Sequence, residues 1–138
     1  MTWNIQRDEG DEHPSKLLPE ILGQEKWSEL EFREKVAACA YCDLNGVPKN
    51  EEEKRWLTQF INDDAYNLYD GAHDLTDVVA QYFDECGLDD QADKIYPYLS
   101  SYIDYDKIAD TWNLNGVSWE TIEYSDDDGS FHGVVEWE

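Results

Sequence analysis

Hydrophobic positions recur at helical spacing in the middle of the chain. Between Asp74 and Gly87 the apolar residues fall at i, i+3, i+4, i+7, i+8 and i+11, the pattern of one buried helix face. Gly87 is suited to end such a helix. The spacing predicts an amphipathic helix over residues 74–87. Its expected buried residues are Leu75, Val78, Val79, Tyr82, Phe83 and Cys86.

Two helices are predicted in the N-terminal half. Ser28 and Glu31 have the spacing of a capping box, which predicts a helix from Ser28 to about Cys42. A second helix is expected after Asn50, because three consecutive Glu residues suit the positive start of a helix. Two Asp residues at positions 63–64 are expected to end it.

The C-terminal third changes pattern. A short helix is predicted over residues 104–112, followed by alternating apolar and polar positions over residues 117–122. The acidic turn at residues 126–129 separates this run from a second extended segment, residues 131–137. These two segments predict a β-hairpin.

The fold class predicted from these elements is α+β, mainly helical, with a C-terminal β-hairpin or small antiparallel sheet. A length of 138 residues allows one domain, or at most two small modules. We divide the chain into a polar N-terminal segment (residues 1–16), a helical region (residues 17–64) and an acidic α+β domain (residues 65–138).

The net charge is strongly negative and unevenly distributed. Asp and Glu number 33 against 10 Lys and Arg, a formal charge of −23. Aromatic residues make up 14%, which favours a folded chain over an acidic disordered one. Residues 1–55 hold 13 acids and 8 bases, net −5; residues 56–138 hold 20 acids and 2 bases, net −18. Such a surface excludes general nucleic-acid binding and attraction to anionic membranes, and it predicts a basic partner.

No segment predicts a membrane span or an export signal. No apolar run approaches the roughly 18 residues that a spanning helix needs, and residues 1–14 lack the basic and apolar regions of a signal peptide. We therefore expect a cytoplasmic protein whose three cysteines are reduced.

Two short motifs could bind metal, but each lacks ligands. Cys39 and Cys42 have zinc or redox spacing, yet a structural zinc site needs four ligands. The remaining candidates are Cys86, His13, His73 and His132. The Asp-Asp-Asp-Gly run ending at Gly129 would, as an EF-hand, place Tyr124 and Val135 at required ligand positions. We expect small buried thiols, a charged hairpin turn, and no metal or cofactor.

The residues do not predict an enzyme. With 33 carboxylates, pairs suited to acid/base catalysis can be found almost anywhere. Their presence therefore does not distinguish an enzyme from a protein without catalytic activity. The chain contains no phosphate-binding loop, nucleophile elbow or His-Glu-x-x-His motif.

Acidic side chains have a helical spacing of their own. Asp74, Asp77, Asp84 and Glu85 fall within an arc of about 100° on the predicted helix 74–87. Helix neighbours three or four residues apart lie about 5–6 Å from each other, so they form a regular row of negative charge. Such a row can imitate the phosphates of DNA, which a basic groove binds. Two alternatives would also explain the acidic composition: an adaptor that binds some other basic protein, and a domain adapted to high salt.

The segment Tyr98-Leu-Ser-Ser-Tyr-Ile-Asp-Tyr105, followed by Leu114-Asn-Gly116, resembles the C-terminal region of ArdA-type antirestriction proteins. The acidic helix over residues 74–87 resembles the helix that precedes this stretch in the family. The resemblance covers residues 66–124. At residues 110–112 this chain has Asp-Thr-Trp where the family usually has Arg-Asp-Leu. As a whole, the chain is similar to a shortened relative of the family.

The resemblance implies a protein of a plasmid, transposon or phage that imitates bent B-form DNA. Such a protein acts in the cytoplasm of a bacterial host, occupies the DNA groove of type I restriction-modification enzymes by stoichiometric blockade, and often forms a homodimer through its C-terminal domain. A CRISPR effector is the alternative target, because its basic channel would accept the same acidic surface.

Applied to this sequence, the resemblance implies a set of phosphate surrogates and a set of packing or dimer contacts. The expected surrogates are Asp74, Asp77, Asp84, Glu85, Asp89, Asp90, Asp93, Asp104, Asp106 and Asp110. The expected packing or dimer contacts, chosen for their preference for burial, are Tyr102, Ile103 and Tyr105.

Overall fold

The computed structural model describes residues 13–138, so residues 1–12 of the predicted polar segment lie outside the described residues. In chain order the elements are α1 (Pro14–Leu22), α2 (Gln24–Glu29), α3 (Phe32–Asn45), α4 (Glu51–Asp63), β1 (Tyr66–Asp70), α5 (Leu75–Glu85), α6 (Leu88–Ile95), a 3-10 helix (Leu99–Tyr102), α7 (Tyr105–Leu114), β2 (Ser118–Asp126) and β3 (Gly129–Trp137). The three strands form one small sheet in the order β1-β3-β2. The predicted class, mainly helical α+β with a small sheet, is confirmed.

The described chain forms two compact units. Among the described residues, the first unit contains residues 13–65 and 122–131, and the second contains residues 66–121 and 132–138. The predicted division at residues 64 and 65 stays a prediction, and the hairpin tip, residues 122–131, groups with the first unit rather than with the C-terminal region.

Helix α3 provides much of the core of the first unit, since residues 35–40 are all buried. The predicted capping box at Ser28 is wrong. Ser28 lies inside α2, where its hydroxyl donates to the Glu25 carbonyl oxygen. The capping box instead joins Glu31 and Glu34, one turn later, and the single predicted helix is two helices. The predicted end near Cys42 is close to the observed end at Asn45.

Helix α4 follows the prediction from its own residues. The Asn50 side-chain oxygen accepts from the Glu53 backbone N–H at 2.8 Å, which satisfies a donor that the helix leaves unpaired. Leu57 and Ile61 face the core. The helix ends at Asp64, which adopts a left-handed backbone conformation.

The second unit is built around α5. The predicted helix 74–87 is confirmed as Leu75–Glu85, with Asp74 before it and Gly87 after it. The cluster of buried residues is Tyr69, Ala72, Leu75, Val78, Val79, Ala109 and Val134. Two residues of the predicted buried face are exposed, namely Tyr82 and Cys86, which follows the helix end, while Phe83 packs against this cluster.

Strand β1 and helix α6 were not predicted. Strand β1 pairs antiparallel with β3, from Tyr66 opposite Trp137 to Asp70 opposite Gly133. The predicted hairpin is confirmed as β2 and β3, and its turn falls inside the acidic run. Within residues 13–138, no helix is both long and apolar enough to cross a membrane.

Candidate acidic interface

The charge is more evenly divided between the compact units than along the chain. The described part of the first unit (residues 13–65 and 122–131) carries 15 acids and 7 bases, net −8. The second unit has the same number of residues and carries 14 acids and 2 bases, net −12. The units therefore differ mainly in their basic residues. The 14 acids of the second unit therefore have only two basic residues in their own unit with which to form ion pairs.

The first two predicted surrogates bind the start of α5. The Asp74 carboxylate accepts from the Asp77 backbone N–H at 3.0 Å, and the Asp77 carboxylate accepts from the His73 backbone N–H at 2.8 Å. Together they form a reciprocal cap on the helix. Asp74 remains exposed, whereas Asp77 is partly buried.

Two surrogates on α6 accept hydrogen bonds from the segment that follows it. Asp89 accepts from the Tyr105 hydroxyl at 2.8 Å. Asp93 accepts twice from Ser100, from its backbone N–H and from its hydroxyl, both at 2.9 Å. These bonds fasten the turn between α6 and α7 to α6.

Helix α7 places two surrogates near its start. Asp104 caps the helix by accepting from the Lys107 backbone N–H at 3.1 Å. Asp106 accepts from the Thr76 hydroxyl on α5 at 2.9 Å, so it links the two helices. Both carboxylates are exposed.

The remaining four surrogates form what we call the free quartet: Asp84, Glu85, Asp90 and Asp110. All four are exposed, and none makes a side-chain hydrogen bond or an ion pair with any residue in the described range 13–138. They belong to three consecutive helices of the second unit, α5, α6 and α7. Among the ten predicted surrogates, the quartet is the part that no hydrogen bond or ion pair within residues 13–138 accounts for.

The three predicted packing or dimer contacts differ in their surroundings. Tyr105 packs edge-on against Phe83, with ring centroids 5.6 Å apart. Its partial burial, its hydrogen bond to Asp89 and nearby acidic charge raise its pKa. Ile103 is partly buried. Tyr102 is 79% exposed, so it packs little against the rest of residues 13–138.

Sequence reasoning missed the exposed residues just before Tyr102. Ile95, Tyr96 and Tyr98 are 79%, 67% and 80% exposed. Aromatic and β-branched side chains are usually buried, and no spacing rule distinguishes these from core residues. The available signal was Pro97, which makes a Tyr-Pro-Tyr turn unsuited to a helix interior.

The two cysteines of the candidate zinc motif, Cys39 and Cys42, are buried free thiols. Burial and the neighbouring Cys42 raise the pKa of Cys39, and burial raises the pKa of Cys42 to about 12. Both thiols therefore stay protonated at neutral pH, which disfavours nucleophilic attack and metal ligation. In the described part of the chain, no three His, Cys, Asp or Glu side chains are grouped to hold a metal ion.

The acidic hairpin turn has a structural partner inside the first unit. Tyr124 donates its hydroxyl to the Asp126 carboxylate at 2.8 Å, and the Lys35 ammonium lies 3.5 Å from the same oxygen. Burial opposes the ionised form of Asp126. The bonds from Tyr124 and the Asp128 backbone, together with the Lys35 charge, nevertheless lower its pKa below 3.8. The turn is thus tied to α3.

An open groove in the first unit has a volume of about 1210 Å³. Aliphatic side chains and charges of both signs line it, among them Lys26, Arg55 and Glu29. Its lining residues include no histidine, cysteine or serine and none of the ten predicted surrogates.

In comparisons with protein-family models, with curated proteins and with solved structures, nothing matches this chain.

Proposed function

We propose that this protein is a DNA mimic that inhibits a bacterial defence nuclease, with type I restriction-modification enzymes as the target. It would act in the bacterial cytoplasm by occupying the basic groove that otherwise holds DNA. The mechanism is stoichiometric binding, and the chain itself carries out no reaction.

The observation that carries this proposal is the free quartet. Carboxylates without internal partners keep their full hydration and their full capacity to bind cations from outside. A groove lined with Lys and Arg releases bound counterions when it binds such a surface, as it does when it binds phosphates.

The acids that do have internal partners also support the proposal. Asp74, Asp93 and Asp104 accept backbone hydrogen bonds and remain exposed. Their carboxylates are therefore held in fixed positions while their charge faces solvent. A preorganised row of charge binds a rigid groove with less loss of conformational entropy than mobile side chains would.

The test is a phage-restriction assay in cells that carry a type I restriction system. Cells expressing the wild-type protein are expected to restrict unmodified phage much less than cells without it. The variant Asp84→Asn, Glu85→Gln, Asp90→Asn, Asp110→Asn should relieve restriction less well at equal expression, because it lacks four external charges.

A matched control removes the same charge from the first unit. Glu20, Glu25, Glu52 and Asp63 are exposed and make no side-chain hydrogen bond or ion pair with residues 13–138. Neutralising these four should leave the relief of restriction nearly unchanged. Unchanged restriction with the wild-type protein would contradict the proposal for type I enzymes. Equal loss in both variants would show that only total charge matters.

A further inference from the structure

A group of exposed, mostly aromatic residues extends from the last residue of α6 into the segment before α7, within the acidic part of the second unit. We call Ile95, Tyr96, Tyr98 and Tyr102 the aromatic turn; each is 67–80% exposed. Successive turns compact the segment, with Leu99 N–H donating to the Tyr96 carbonyl and Ser101 N–H to the Tyr98 carbonyl, both at 3.0 Å. The four apolar side chains therefore project from a short, folded stretch of chain.

Hydrogen bonds from Ser100 tether the turn to α6. Asp93 on α6 accepts both hydrogen bonds that Ser100 can donate. A patch fixed in this way keeps its side chains positioned before any partner arrives, which lowers the entropic cost of binding.

Tyr98 occupies a backbone conformation that does not suit it. Its φ of +64° lies in the left-handed region, where glycine and asparagine are favoured and a bulky residue is strained. The side chain is 80% exposed, so core packing does not compensate for the strain. Strained residues that no internal contact explains concentrate at binding sites.

The charges around the turn specify the kind of partner. Residues 84–110 contain eight acids and two bases, Lys94 and Lys107. A second copy of the chain would bring the same acids against this patch, and each copy carries a net charge of −23. Like charges repel at such a contact, whereas a cationic surface is attracted.

We propose that the aromatic turn binds arginine side chains of a basic partner protein. A guanidinium group stacks on a tyrosine ring and forms paired hydrogen bonds with a neighbouring carboxylate, which a lysine ammonium does less well. The tyrosine rings would thus supply stacking contacts that salt weakens little. The neighbouring acids would supply an electrostatic attraction that salt weakens strongly. The inference rests on the proposed function for the identity of the partner, but its test does not use that partner.

The experiment compares two probes, a ten-residue arginine peptide and a ten-residue lysine peptide, by fluorescence titration at ~0.15 M salt. The wild-type protein should prefer the arginine peptide, and the preference should fall by about threefold or more in the variant Tyr96→Ser, Tyr98→Asn, Tyr102→Ser. The control variant is Trp56→Ser, Leu114→Ser, which removes two other exposed apolar side chains and should keep the preference. The tyrosine variant should keep the wild-type melting temperature, because its three replaced side chains are 67–80% exposed.

An unchanged arginine preference in the tyrosine variant would overturn the inference. So would a wild-type dimer in sedimentation velocity that the tyrosine variant abolishes, since the turn would then bind a second copy. A tyrosine-dependent arginine preference supports it whatever the phage-restriction assay shows. If the protein relieves restriction but its preference for the arginine peptide does not depend on the tyrosines, the proposed function stands and this inference is refuted.

Discussion

At the residue scale, Gly133 has no room for a side chain. A Cβ at this position would lie 2.1 Å from the Tyr69 carbonyl oxygen and 2.9 Å from the Asp70 Cα. Both neighbours are backbone atoms of β1, so they could move only by separating the paired strands. The closeness of β1 and β3 therefore depends on glycine here.

We predict that Gly133→Ala lowers the free energy of unfolding by about 1–3 kcal/mol, the usual cost of overpacking a close contact. Urea denaturation measures it. Ser130→Ala is the control, an exposed position on the same strand, and should stay within about 0.5 kcal/mol of wild type. Equal stability of Gly133→Ala and wild type would mean that the strands are not this close.

Glu136 is a buried acid with one hydrogen-bond partner. Burial raises its pKa above 4.5 and the charge of Glu138 adds to this, while a hydrogen bond from Asn67 opposes it. An acid with a raised folded-state pKa destabilises the fold at neutral pH. This penalty disappears as the pH falls through the folded-state pKa towards the unfolded value.

Glu136→Gln should therefore increase the free energy of unfolding at pH 7, because the amide keeps a polar contact with Asn67 and carries no charge. The gain should shrink as the pH falls through the raised folded-state pKa of Glu136, because the wild-type carboxyl then becomes protonated. Urea denaturation of both proteins across this range checks the prediction. A variant less stable than wild type at pH 7 would show that the carboxylate itself stabilises the fold.

At the element scale, Asp74 both caps α5 and carries an exposed charge. These two properties can be separated because asparagine is as good a cap as aspartate. Asp74→Ala should lower the free energy of unfolding by about 1 kcal/mol, whereas Asp74→Asn should lower it by less than about 0.5 kcal/mol. Urea denaturation decides this. Equal losses in the two variants would mean that the charge, and not the cap, stabilises the helix.

The elements that could be predicted from sequence carry their own boundary signals. Asn50 and Asp74 begin α4 and α5, and Gly87 follows α5. Strand β1 has no such local signal, because its partner, β3, lies more than 60 residues away. Helix α6 is only eight residues long and buries none of them completely, so its apolar spacing at Leu88, Ala92 and Ile95 is too short to identify a helix from sequence.

The acidic site could be predicted only in part. Helical spacing locates the acids, and eight of the ten predicted surrogates are exposed. Spacing does not show that Asp106 bonds to Thr76 or that Asp89 bonds to Tyr105, because those partners depend on how the helices pack. The free quartet is visible only once those contacts are known.

At the scale of the whole molecule, net charge opposes folding. A charge of −23 repels itself most strongly in the folded state, and salt screens that repulsion over about 10 Å at 0.1 M. We predict a higher melting temperature in ~0.5 M than in ~10 mM NaCl, measured by circular dichroism. A melting temperature that does not rise would indicate that the acids are dispersed or paired.

Competition with DNA tests the central claim most directly. A fluorescent duplex bound to a purified type I methyltransferase is titrated with this protein at fixed salt, and the released duplex is measured by anisotropy. We predict full displacement near one-to-one stoichiometry, with the free-quartet variant weaker by about tenfold or more and the first-unit control close to wild type. Binding of the protein without displacement of DNA, or no binding, would contradict DNA mimicry against this class of enzyme.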